Sequence, residues 1–232
     1  MIDIHSHIIF DVDDGPSGID KSAEIAAEAL KAGIHTIIAT PHFNEILIKN
    51  GLIKRNYYAA AAEVKKLGIN LLIGYEIRIN PLLPESIDLL GDITLNGSNC
   101  ILIEMPFDSV PFYIFDILYK LQLKGIVPII AHPERCVRLR DNLDLLVKMI
   151  EAGCLVQLDA ASIIGIHGKK SKRCSRKLID KGLAHFIASD AHSSEGYSVW
   201  FRNAYDIVLK WAGKDYANEL FYKNASNLLL AE

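Results

Sequence analysis

Two histidines set two residues apart at the end of a short apolar run, Met1-Ile-Asp-Ile-His-Ser-His7, constrain this chain most. Residues 2–4 read as a short buried strand, and strand side chains two apart point the same way, so His5 and His7 face one point. Neutral imidazole is a borderline ligand, suited to Zn, Fe, Mn or Co rather than to Mg or Ca alone. The turn Asp11-Val-Asp-Asp-Gly-Pro16 then leaves acidic groups beside the pair. A lone His-x-His is better explained as two polar residues leaving a strand. What shifts the balance here is that similar residues recur at later strand ends.

In chain order, strands alternate with helices. A helix capped by Ser17 or Asp20 runs to Ala32 and is closed by Gly33. Residues 36–39 form strand two, which ends in Thr40-Pro41-His42. Residues 43–54 read as an irregular loop and 55–67 as an alanine-rich helix. Strand three is 71–75, with Glu76 at its exit, and a short helix covers 84–90. Strand four, 100–103, delivers Glu104, and a helix spans 112–124. Strand five, 127–131, exits through His132-Pro133-Glu134-Arg135. After a helix at 143–152, strand six, 155–158, presents Asp159. The basic run 169–177 leads a helix ending near Gly182. Strand seven, 185–189, leaves Asp190 and His192 at its exit, and two amphipathic helices follow from about Tyr197.

Short apolar strands alternating with helices pair in parallel. In a barrel the strand C-termini meet on one face, whereas an open sheet would spread the polar exits along an edge. The expected fold is therefore a distorted seven-stranded (β/α)7 TIM-like barrel. Its 232 residues, 50% of them hydrophobic, suffice for one domain over 1–232. A formal net charge of -3 gives no electrostatic footprint for nucleic acid, and no apolar run approaches a membrane span. Without a charged leader ahead of the first strand, a cytoplasmic location is expected. Cys100, Cys136, Cys154 and Cys174 are widely spaced and show no CxxC, so neither a zinc knuckle nor a disulfide framework is expected.

The ligand set is the strongest signal. His5, His7, His42, His132 and His192 stand at strand exits, joined there by Asp14, Glu76, Glu104 and Asp190. Nine such groups are too many for one ion, and buried carboxylates are costly without cations, so two or three metal ions are expected. His35, His167 and His185 lie before strands or in a loop and read as ordinary histidines. The acidic turn is no EF-hand: counted from Asp11, glycine falls at position five and Ser22 at position twelve.

These residues resemble the PHP (polymerase and histidinol phosphatase) metal-dependent phosphoesterases, most of all the bacterial tyrosine phosphatases of capsule and exopolysaccharide loci. The likeness runs through Met1–His7, Asp11–Pro16, Ala131-His-Pro-Glu-Arg135 and Ile187-Ala-Ser-Asp-Ala-His192. It implies one metal on His5, His7, Glu76 and Asp190, with Glu76 bridging. It implies a second on Glu76, Glu104 and His132, and a third on Asp14, His42 and His192. Manganese is favoured among Mn, Fe, Zn and Co. The implied reaction is phosphomonoester hydrolysis by water made hydroxide-like between two cations, with no protein nucleophile. The implied substrate is phosphotyrosine on a bacterial tyrosine kinase of polysaccharide synthesis.

Arg135 is the expected phosphate-binding group, because a guanidinium matches phosphate bidentately. The competing role is a salt bridge to Glu134 or Asp141. One departure bears on the substrate. Members of this subgroup usually carry Arg-Pro shortly after the last ligand histidine, where this chain reads Ser193-Ser-Glu-Gly-Tyr-Ser-Val-Trp200. Arg202 or Lys169-Lys170 are the expected substitutes. Two further readings compete: hydrolysis of a small phosphomonoester such as histidinol phosphate, and a non-enzymatic metal-binding regulatory domain. An amidohydrolase also begins with His-x-His, but it would favour histidine where Asp159 stands.

Overall fold

A computed structural model describes residues 1–90 and 93–230. Its first sheet holds β1 (Ile2–Ser6), β2 (Thr36–Ala39) and β3 (Asn70–Ile73) in that order. The second holds β4 (Glu76–Arg78), β5 (Cys100–Glu104), β6 (Val127–Ala131), β7 (Leu155–Asp159) and β8 (Phe186–Ala188), also in sequence order. Every pairing is parallel. Between them run α1 (Ile19–Lys31), α2 (Glu45–Lys49), α3 (Leu52–Lys65), α4 (Leu83–Leu90), α5 (Ile114–Leu123), α6 (Val137–Asp141), α7 (Leu143–Glu151), α8 (Ala160–Ile164) and α9 (Gly168–Asp180). The chain ends with α10 (Arg202–Asn218) and α11 (Asn224–Leu230).

The parallel α/β architecture is as expected. The described residues form eight strands in two sheets, and no continuous ladder closes a barrel among them. The extra strand arises at Gly74. A Cβ there would lie 2.6 Å from Leu95 Cδ2 and 3.2 Å from Leu95 Cα, so glycine lets the chain pass close to Leu95 as it leaves one sheet for the other. Glu76 therefore opens β4 instead of ending strand three. Isolated bridges join the sheets at both seams: Ser6 with Ala191, and His42 with Glu76.

Local chemistry explains the smaller differences. Asn44 accepts hydrogen bonds from the Ile46 and Leu47 N–H groups, which makes a short helix, α2, where a loop was expected. Asp159 likewise caps α8 by accepting from the Ala161 N–H. Neither Ser17 nor Asp20 caps α1, because the cap position falls on Gly18.

Two apolar clusters hold the fold. A smaller inner one includes Ile2, Ile4, Ile38, Leu102, Ile129 and Phe186, with Ala225 and Leu228 of α11 packed on it. The larger one lies between the strands and the surrounding helices. One extra residue in β1, between Asp3 and Ser6, shifts its register against β2, a bulge that re-aims the segment carrying His5.

The seam between β1 and β8 is fastened by Asp3, which is fully buried. Its Oδ1 accepts the Ser189 N–H at 3.0 Å and the His5 N–H at 3.3 Å. Its Oδ2 accepts the Ser189 hydroxyl at 2.5 Å and the Tyr197 hydroxyl at 2.7 Å. Tyr197 belongs to a π-helical turn, Gly196–Phe201, pressed against Ala191. A Cβ on Gly196 would stand 2.4 Å from Ala191 Cβ and 2.9 Å from its Cα. Gly196→Ala is expected to cost about 1–3 kcal/mol through overpacking and to lower Tm by about 3–10 °C in thermal unfolding. An unchanged Tm would mean that this contact yields freely.

Candidate metal centre

Most of the candidate ligands stand at or just beyond the C-terminal end of a strand, as a parallel sheet requires of residues that are to meet, and Glu76 stands at the start of β4. β1 brings His5 and then His7, the segment after β2 brings His42, and β4 begins with Glu76. β5 ends in Glu104, His132 follows β6, and Asp190 and His192 follow β8. Two of these residues hold backbone conformations unusual for a side-chain-bearing residue, with φ of 32° at His132 and 49° at Asp190. Such positions persist only where the surroundings enforce them.

All nine candidate ligands converge. His5, His7, Glu76 and Asp190 place one ligand atom each within 4.8 Å of one another, and so do Glu76, Glu104 and His132. Asp14, His42 and His192 meet in the same way, with His7 as a fourth member. Glu76 is central: its Oε1 lies 2.8 Å from His132 Nε2 and 3.5 Å from His5 Nε2. Its Oε2 lies 3.1 Å from His42 Nδ1 and 3.3 Å from His7 Nε2. Asp14 sits at the mouth, two-thirds exposed, with Oδ1 3.1 Å from His192 Nε2.

The arrangement fits cations. His5 donates from Nδ1 to Gln157 Oε1 at 3.0 Å, and His7 donates from Nδ1 to Asp13 Oδ2 at 2.7 Å. Both rings then aim Nε2 lone pairs into the site, only 3.3 Å apart. Two facing lone pairs repel unless a proton or a metal ion lies between them. Asp190 Oδ1 is 3.2 Å and 3.4 Å from the same two nitrogens and has no hydrogen-bond partner among the described residues. A buried N,N,O,O set without its own donors suits a transition-metal ion.

The protonation balance points the same way. Burial alone would depress His5, but Asp190 and Glu76 outweigh it and raise its pKa to about 9. His7 is also held well above its ordinary value, against burial, by Asp13, Asp190 and Glu76. Burial opposes ionisation of Glu76 and Asp190, yet the histidines pull both below the usual carboxylate range.

Arg135 stands at the edge of the cluster, half-buried. Its Nη1 is 2.5 Å from Asp190 Oδ2 and 3.4 Å from Asp159 Oδ2, and the guanidinium lies 5.0 Å from the centroid of the Phe107 ring. The carboxylates expected beside it are not its partners: Glu134 Oε1 accepts the Asp159 N–H, and Asp141 pairs with Arg140. Asp190 thus faces the histidines with one oxygen and Arg135 with the other.

A cavity of about 410 Å³ opens over this cluster, walled on the protein side by Arg135, Arg78, Phe43 and Phe107. Neither Arg202 nor Lys169-Lys170, the expected substitutes for the missing arginine, lines it. Arg78 does, with Nε 3.5 Å from Glu104 Oε2. Sequence reasoning missed Arg78, although it lies two residues after Glu76 in a strand and so shares its side. It also missed Gln157, whose signal was a lone amide within the apolar run 155–158, and the orienting role of Asp13. His35 is exposed and His185 accepts the Val156 N–H, as befits ordinary histidines. His167, expected in the same class, instead pairs with Asp159 at 2.8 Å.

A family model described as capsular polysaccharide synthesis, CpsB/CapC, matches residues 1–230. The chain belongs to the CpsB/CapC family. Among its relatives, the putative tyrosine-protein phosphatase CapC of Staphylococcus aureus is 44% identical over 197 residues, covering 83% of this chain and 77% of that protein. The tyrosine-protein phosphatase YwqE of Bacillus subtilis (strain 168) is 39% identical over 236 residues, covering 98% and 89%. Crystal structures of YwqE from Bacillus subtilis and CpsB from Streptococcus pneumoniae are described as those of unique metal-dependent tyrosine phosphatases. A chain from that work matches with a TM-score of 0.90 at 38% identity, over 100% of this chain and 95% of that one. No helix among the described residues of this CpsB/CapC member is long and apolar enough to cross a membrane.

The pKa directions fix the pH response of the metal-free protein. His5 has its pKa raised from 6.5 to about 9, so its contribution is complete below 6.5 and is lost as pH rises through 9. Glu76, lowered from 4.5, contributes above 4.5 and loses its effect as pH falls. Tm in the presence of chelator is therefore expected to peak between about pH 4.5 and 6.5 and to fall on both sides. A Tm rising from pH 6.5 to 9 would contradict this assignment.

Proposed function

We propose that this chain is a metal-dependent phosphomonoesterase that hydrolyses phosphotyrosine on a protein, carried by a single PHP-type domain over 1–232. The two sheets, joined at Ser6–Ala191 and His42–Glu76, are read as one distorted barrel in which β3 and β4 together make one of seven staves. The observation that carries the function is a floor of three overlapping ligand sets beneath a cavity with guanidinium and aromatic walls. Such walls suit a phosphate joined to a ring.

His5, His7, Glu76 and Asp190 would hold one ion, Glu76, Glu104 and His132 a second, and Asp14, His42 and His192 a third, with manganese favoured. Bound there, such ions lower the pKa of water and neutralise phosphoryl charge. The chain supplies the rest. Gln157 and Asp13 fix the His5 and His7 tautomers, so that each presents Nε2. Arg135 binds the phosphoryl group through the guanidinium nitrogens that Asp190 and Asp159 leave unused, since both pairs employ Nη1. Phe107 and Phe43 exclude water beside the aryl ring. A phenol leaving group has a pKa near 10, so it needs less protonation on departure than an alkyl alcohol does. The physiological substrate is a tyrosine kinase of capsule or exopolysaccharide synthesis, met in the cytoplasm.

Metal content and hydrolysis of a phosphotyrosine peptide and of histidinol phosphate are measured on one sample, before and after chelation and addition of Mn. The peptide is expected to be preferred, with activity lost on chelation and restored by Mn. Preference for histidinol phosphate would replace the substrate, and hydrolysis of neither by a metallated sample would leave a regulatory metal-binding domain. Glu76→Gln keeps the shape but removes the negative charge that the two sites would share and replaces one acceptor oxygen with a donor NH2. It is expected to reduce kcat by at least about a hundredfold with the far-UV CD spectrum unchanged, and near-normal turnover would remove Glu76 from its bridging role.

A further inference from the structure

The helix α9 carries six basic residues and one acidic residue in thirteen, in a chain whose formal net charge is -3. Its apolar and small residues, Cys174, Ser175, Leu178 and Ile179, are buried against the core. Two of the basic side chains are already engaged: Arg176 pairs with Asp180 and lies 4.9 Å over the Trp211 ring, and Lys172 donates to the Ile164 carbonyl. Lys170, Arg173 and Lys177 differ. They follow one another at spacings of three and four, along one exposed stripe, and none has a carboxylate partner among the described residues.

A cation from another element turns this stripe into a recess. Arg140 of α6 borders the same concavity of about 340 Å³, which Lys170, Arg173, Lys177, Asp141 and Cys174 also line. Arg140 Nε is buried, lies 3.5 Å from Asp141 Oδ1 and makes no hydrogen bond among the described residues. Four cations thus face one carboxylate. A lysine-rich helix face is ordinarily just solvated, but solvation does not call for guanidinium groups from two helices converging on one hollow. Concave sites lined by one sign of charge concentrate ligands of the other sign, and a guanidinium fork matches a carboxylate.

A chain of contacts links the start of α9 to the edge of the metal centre. His167, immediately before α9, lies 2.8 Å from Asp159 Oδ2, and the same oxygen is 3.4 Å from Arg135 Nη1. Lys170 and Lys177 stand three and ten residues beyond His167, about 5 and 15 Å along the helix axis. Two to five extended residues span that distance, at roughly 3.4 Å each.

We propose that the recess between α6 and α9 binds an acidic stretch of the same polypeptide whose phosphotyrosine enters the metal-lined cavity, within about six residues of that tyrosine. This rests on the phosphotyrosine reading above. It makes α9 a specificity element, acting on KM and not on the chemical step.

The test uses the full chain loaded with Mn. Substrates are phosphotyrosine peptides with six flanking residues of Glu and Asp, or of Gln and Asn, on either side, together with p-nitrophenyl phosphate. At low salt the acidic peptide on one side is expected to show a KM about fivefold to tenfold below its neutral twin at equal kcat, the difference shrinking as salt is raised. The double variant Arg173→Gln/Lys177→Gln is expected to abolish that difference while hydrolysing p-nitrophenyl phosphate normally. Fluorescence anisotropy of a labelled, unphosphorylated acidic peptide reads the recess without turnover, so a protein that hydrolyses nothing would sink the phosphatase reading and leave this measurement to decide the recess. Equal KM values for acidic and neutral peptides on both sides would overturn the proposal, as would a preference that survives in the double variant. Co-sedimentation with phosphatidylglycerol vesicles, lost in the variant and unaccompanied by peptide binding, would also overturn it in favour of a membrane surface.

Discussion

One carboxylate is surrounded by four imidazoles, and much else follows from that. Glu76 is almost fully buried, and an ionised carboxylate taken out of water costs several kcal/mol unless cations or donors surround it. His5, His7, His42 and His132 supply that surrounding from β1, the β2 exit and the β6 exit. The same residue joins the two sheets through its backbone: its N–H donates to the Pro41 carbonyl at 3.2 Å, and its carbonyl accepts the Phe43 N–H at 2.8 Å. Site geometry and sheet separation are therefore set at one position. At the opposite seam Asp3 has the matching role, tying β1 to the segment that carries Asp190 and His192.

Much of this was legible in the sequence, because the periodicity that makes a parallel strand also sends its last residue to a common face. All nine candidate ligands were placed from that rule and from the family resemblance, and they converge. The strand and helix order was read correctly for most elements. Strand three was expected over 71–75 because Leu71-Leu-Ile-Gly-Tyr75 is one apolar stretch with a single glycine, and the close approach of Leu95 to Gly74 leaves no trace in the local sequence. The short helix after β2 was not expected, because residues 43–54 are irregular in composition and α2, capped by Asn44, is only five residues long.

The arginine environment was less legible. For Arg135, expected to bind phosphate, the competing salt bridge was assigned to Glu134 or Asp141, neighbours in sequence, whereas its carboxylate partners are Asp190 and Asp159, which come from later strands. Ion pairs obey proximity in space, and linear distance carries little information about that across a βα unit. The same holds for Arg140 and α9, whose convergence depends on how two helices pack.

The two ends of one ligand set lie 185 positions apart, since His5 lies in the first strand and Asp190 follows the last. A chain still being synthesised can form β1, β2 and β3 and present two imidazoles, yet it has no carboxylate from β8 to complete the set. Closing so long a loop is entropically unfavourable until the packed sheets hold its ends together. Convergence of these four side chains is thus an event of the finished polypeptide, and it marks the moment at which the last quarter of the chain has docked.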